Sequence, residues 1–245
     1  MEIIIQTEEE LSILFSALAL NIVDAAVYYR LRCDLQEARP ANIRAFSQSQ
    51  TFWYITFTSL KVSCLTHLCR VYDTHTQSLN LVNLLDTIKA NPTYFLEDKL
   101  FKRYQNSPAG KLLTKDQYPC VLNIKQLEKD IQTSSCQDAI VKKLMIWRHK
   151  NIAHTDAQLL LTGNKILLDN PLYDEEIKQL LDHSLNIFNK YSLLFCNNSW
   201  SSQIVGHYDY NSLLKFINLG LEKWDEDIEK QRAQLGNAFV DGAGV

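Results

Sequence analysis

A chain of 245 residues, 46% hydrophobic and 22% charged, can bury a substantial core and lacks the composition of a disordered protein. Seven glycines and five prolines are too few for many short strands and tight turns, so long helices are expected. A formal net charge of −3 argues against nonspecific coating of nucleic acid but leaves room for a local basic site.

Thr7-Glu8-Glu9-Glu10 reads as a capping box, so a helix should begin near residue 8. Leu11, Leu14, Phe15, Leu18, Ile22, Ala25 and Tyr29 then recur at helical spacing until Arg39-Pro40 stops the run. A second long helix is expected over about 41–72, carrying Phe46, Trp53, Phe57, Leu60, Cys64, Leu68 and Val71. The polar turn 73–78 follows, and Ser78 or Asn80 can cap a third helix running to Ile88. Residues 92–120 read as shorter helices in a mobile, basic, solvated connection.

A helix is expected over 123–133 and another from Ser135, as its cap, to Thr155. Two apolar runs flanking Thr162-Gly163-Asn164 predict a small hairpin near 158–168. Asn170-Pro171 leads into a helix over about 173–197, and a last helix covers about 209–235 before a frayed tail. The fold class is therefore all-α. A helical domain over 1–200 is expected, with a C-terminal helical extension over 201–245 packed on it.

The six cysteines form no Cys-x-x-Cys pair, the N-terminus lacks a signal-peptide pattern, and no apolar stretch is read as long enough to span a bilayer. The expectation is a cytoplasmic protein with reduced thiols. Cys64, His67, Cys69 and His75 are close in sequence but do not share one face, so no metal site is expected. No glycine-rich phosphate loop occurs, and no cofactor is expected.

The candidate site is Arg148-His149-Lys150-Asn151-Ile152-Ala153-His154. With Arg148 at zero and about 100° per residue, Leu144 falls at about −40° and Val141 at about +20°. Asn151 falls at about −60° and His154 at about −120°. Arg148 and Asn151 thus continue an apolar face, and His154 lies at its edge. Polar groups there cost free energy unless each finds a partner. Arg148 and His154 are about 9 Å apart along a helix axis, close enough for their heads to converge on one anion. A guanidinium fork suits phosphate oxygens, and an imidazole can move a proton near neutral pH. The same pair could also be structural, and the spacing leaves both readings open.

Trp147 to Asp156 resembles the motif of HEPN domains, in which a histidine follows an arginine by four to six positions. The form Arg-x-Lys-x-x-Ala-His-x-Asp is most similar to the abortive-infection protein U branch. Cys69-Arg70-Val71-Tyr72-Asp73, followed by the Leu-rich run from Ser78 to Leu85, resembles that branch's second long helix and the helix after it. The resemblance implies an all-α bundle of long antiparallel helices that dimerises with its motif helices adjacent. It implies Arg148 and His154 of both chains in one composite site, with His149, Asn151 and Asp156 supporting. It implies metal-independent RNA cleavage leaving a 2′,3′-cyclic phosphate, in a toxin or antiphage setting with an antitoxin or other defence partner. Non-catalytic binding of RNA or a partner is the alternative. Asp156 stands where related toxins carry a modifiable tyrosine. Arg70 and Asp73 are expected either to pair with each other or to support Arg148.

Overall fold

The computed structural model describes residues 3–105, 121–152, 165–203, 206 and 208–241. It holds ten α-helices and no strand among the described residues, the all-α architecture expected. They are α1 (Glu8–Ala38), α2 (Ile43–Gln48), α3 (Gln50–Val71), α4 (Leu81–Ala90), α5 (Glu97–Gln105), α6 (Ile124–Thr133), α7 (Ala139–Trp147), α8 (Lys165–Asp169), α9 (Asp174–Cys196) and α10 (Asp209–Asp241). Short 3₁₀ turns occupy Pro40–Asn42 and Pro92–Phe95, and a π-turn occupies Arg148–Ile152.

The chain divides into two compact units, one of residues 1–29 and 60–202 and the other of residues 30–59 and 203–245. The first holds the main core. Leu11, Phe15, Leu18 and Ile22 of α1 are buried there at 0–3% exposure, among Leu68 and Val71 of α3, Leu84 of α4, Leu144 of α7 and Phe188 of α9. In the second unit, Phe46 and Trp53 pack at 4.2 Å between ring centroids, and Arg44 pairs with Asp225 at 2.8 Å.

The caps explain most boundaries. Thr7 Oγ1 accepts from Glu10 N at 3.2 Å, and Glu10 Oε2 accepts from Thr7 N at 3.3 Å, the reciprocal box that starts α1. Asn80 Oδ1 accepts from Asn83 N at 2.8 Å and starts α4. Asn123 starts α6 in the same way.

Several expectations need correction. The second long helix is broken, because Ser49 leaves helical geometry at φ −132° and ψ 52°. The motif helix starts at Ala139, not Ser135, because the Asp138 carboxylate accepts from both Ile140 N (2.8 Å) and Val141 N (3.1 Å). Of the expected hairpin, Lys165–Asp169 forms a helical turn, and 158–164 lie outside the described residues. The start of the basic connection is packed: Phe95 and Leu100 are 1% and 2% exposed, and Arg103 pairs with Glu8 at 2.5 Å. The last helix runs to Asp241 instead of ending near 235. The expectation about apolar stretches also fails for α1, whose mean hydropathy of 1.8 over 18 residues meets the length and composition of a membrane span. One side of α1 is nevertheless taken up by the core described above.

His183 sits inside the first unit, stacked at 6.5 Å on Tyr72 and 3.5 Å from Ser134 Oγ. Burial holds its ring below the ordinary histidine range, against the opposing pull of the Asp138 and Asp130 carboxylates. Burial lowers His67 too, opposed by Asp24. In the unfolded chain both titrate at about 6.5. As pH falls through that value the unfolded state binds protons that the folded state resists, so stability is lost. The unfolding midpoint should fall between about pH 7.5 and about pH 5.5, and His183→Gln should shallow that fall. A variant that tracks the parent across this range would contradict the assignment.

Candidate functional site

The site begins at the end of α3. Val71 is fully buried, and Tyr72, 2% exposed, donates its hydroxyl to Leu180 O of α9 at 2.8 Å. These two contacts fix where the chain leaves the helix. Arg70 points the other way and is exposed. Asp73 then accepts from Thr74 N at 2.7 Å and His75 N at 3.1 Å, so its carboxylate is oriented by its own turn. That turn is itself tied down, because the buried Asn83 donates to Ser78 O at 2.8 Å and His75 O at 3.1 Å.

α7 delivers the other half. Val141, Leu144 and Met145 bury its inner face. Trp147 Nε1 donates to Asn170 O at 2.8 Å, and Lys143 pairs with Glu176 at 2.5 Å, which tie its last turns to the stretch around α9. At Arg148 the helix widens into the π-turn Arg148–Ile152. Such a turn inserts an extra residue into the helical register and often marks functional sites. The regular 100° wheel therefore no longer applies beyond Arg148.

The two halves meet in one ion pair. Arg148 Nη1 lies 2.8 Å from Asp73 Oδ1, and Nη2 donates to Asp73 Oδ2 at 3.1 Å. This is a fork-on-fork pair, which fixes direction as well as position. The side chains are 26% and 13% exposed, so the pair sits at the rim of the core. A guanidinium has five N–H donors; among the described residues Asp73 accepts from Nη2 and lies within 2.8 Å of Nη1.

The structure thus brings Arg148 and Asp73 together and leaves Arg70 outside, so the expected choice for Asp73 falls on Arg148. His149 is exposed on the π-turn. The side chain of Asn151, and His154 and Asp156 entire, lie outside the described residues. Sequence reasoning missed Tyr72 as the anchor of the α3 end and Asn83 as the brace of the turn. Tyr72 was signalled by its place in the Arg-apolar-aromatic-Asp segment; Asn83 carried no signal apart from its spacing from the capping Asn80.

The AbiU2 model of the HEPN domains (HEPN_AbiU2) matches residues 8–235. The chain belongs to this family. No curated protein matches it, and no solved structure does. In this AbiU2-family chain both the Arg70–Asp73 segment and Arg148 fall within the matched region.

Cys69 lies beneath the pair at 4% exposure. Desolvation pushes its thiol up to about 12, with the Arg148 guanidinium opposing and Asp73 reinforcing the shift. The thiolate is the reactive form. Iodoacetamide at about pH 8 should therefore modify the exposed Cys136 of the native protein and spare Cys69 until denaturant is added. Peptide mass spectrometry showing equal labelling of both would contradict a closed core beneath Arg148.

Proposed function

We propose that this chain is a metal-independent endoribonuclease of a toxin or antiphage-defence system, acting in the cytoplasm. Its composite site at a dimer interface uses Arg148 and His154 of both copies. The observation that carries the reading is the Asp73 clamp. A guanidinium fixed in direction by a carboxylate, at the core rim and at a π-turn, is a preorganised cation for an anion.

In the reaction, a base removes the proton from a ribose 2′-hydroxyl, and that oxygen attacks the adjacent phosphorus. The bond from phosphorus to the 5′-oxygen breaks, and the leaving oxygen takes a proton. The products are a 2′,3′-cyclic phosphate and a 5′-hydroxyl. Imidazole suits both proton transfers, which assigns them to His154. Arg148 neutralises charge developing on the phosphoryl oxygens. Asp73 positions Arg148 without touching the substrate. His149, Asn151 and Asp156 are supporting residues in this reading, and a partner or antitoxin protein would control access.

A second reading is a non-catalytic module that binds RNA or a partner, or holds the dimer. It is favoured by the same ion pair, since the Arg148 guanidinium is already engaged within the chain, as in a structural contact.

Purified protein incubated with RNA in EDTA should give cyclic-phosphate ends, and His154→Ala should lower the rate by at least about 10²-fold. Arg148→Ala should do the same. Intact RNA at high enzyme concentration, with Arg148→Ala altering only oligomeric state or partner binding, would select the second reading.

A further inference from the structure

A cavity in the second unit is unused by the site above. It sits at the break between α2 and α3. Trp53 closes this corner, its backbone N–H donating to Ser49 O and its indole Nε1 to Ala45 O, both at 3.1 Å. The corner leaves a cavity of about 400 Å³, within the range of small-ligand pockets.

The lining is mixed in a particular way. Phe46 and Trp53, 4% and 5% exposed, form an aromatic floor. Phe57 lies 6.2 Å from Phe46 and nearly parallel to it. Tyr54 also lines the cavity yet is 72% exposed, a large ring held at the edge in water. Gln50, Tyr54 and Phe57 follow at i, i+4 and i+7 on α3, so an amide and two rings share one stripe. Arg39 is exposed and lines the same space, whereas Arg44 is engaged by Asp225. Ser47 and Thr58 add hydroxyls.

We propose that this corner is a subsite for one unstacked base of single-stranded RNA together with an adjoining phosphate. It rests on the reading of RNA as substrate. A base needs a ring to stack on, polar groups along its edge and a cation near its phosphate, and single-strand binding sites are built this way. Tyr54 supplies the outer stacking face over the floor, Gln50 and Ser47 the edge contacts, and Arg39 the cation. The subsite tolerates any base, because every base has a π-face. It adds grip on the strand and takes no part in bond cleavage.

The test is fluorescence anisotropy with a labelled single-stranded RNA of about twelve nucleotides, using full-length protein carrying His154→Ala so that the strand survives. Tyr54→Ala on that background should weaken binding by about tenfold. Arg39→Ala should flatten the slope of log K against log salt by about 0.7. Because Tyr54 is exposed, its variant should keep the parent's circular dichroism and unfolding midpoint. Parent-like RNA affinity in both variants overturns the proposal, and so does a change in oligomeric state on Tyr54→Ala with RNA affinity intact, which would make the corner a protein interface. Cleavage by the chain with His154 present separates the two levels. RNA held through Tyr54 but never cut would sink the ribonuclease and leave the subsite standing. RNA cut, with affinity indifferent to Tyr54, would do the reverse.

Discussion

The paired fork between Arg148 and Asp73 is the constraint around which the site is organised. An arginine at the rim of an apolar core must be paired or turned to water, since an unpaired buried charge costs several kcal/mol. Here it is paired with Asp73 and its side chain is partly exposed. The partner comes from 75 residues earlier in the chain. The pair therefore ties the end of α3 to the end of α7. Tyr72, the Asn83-braced turn and the Trp147 indole each fix one side of it.

That arrangement explains why four residues at the end of α3 act together. Val71 and Tyr72 are packing residues, and Asp73 can meet Arg148 only because they stop the helix where they do. Cys69 is the small buried residue beneath, and its raised thiol follows from the same desolvation that strengthens the ion pair above it. The π-turn beginning at Arg148 changes the direction of the chain just where the charged residue appears.

Much of the fold was legible from the sequence because caps and apolar spacing are local signals. Thr7 with Glu10, and Asn80, start helices as read. The misreadings were places where local signals compete. Ser135 and Asp138 both look like caps, and the carboxylate won by accepting from two N–H groups. Ser49 is unremarkable in sequence, and the break there is stabilised by Trp53 reaching back to Ala45, a contact no periodicity reveals. The apolar run at 165–168 suits a strand or a helix, and a short helix forms. At the site, Arg148 was legible by its position after a buried face. Its partner was one of two options, and only tertiary packing, which exposes Arg70, decides between them.

The central claim is that Asp73 holds Arg148 in place, and a double-mutant cycle on stability measures this directly. Unfolding free energies of the parent, Arg148→Ala, Asp73→Ala and the double variant give the coupling between the two side chains. For a partly buried, bidentate pair the account predicts a coupling of about 1–2 kcal/mol, with the double variant little worse than either single one. Losses that simply add would contradict it and would leave Arg148 with no internal anchor.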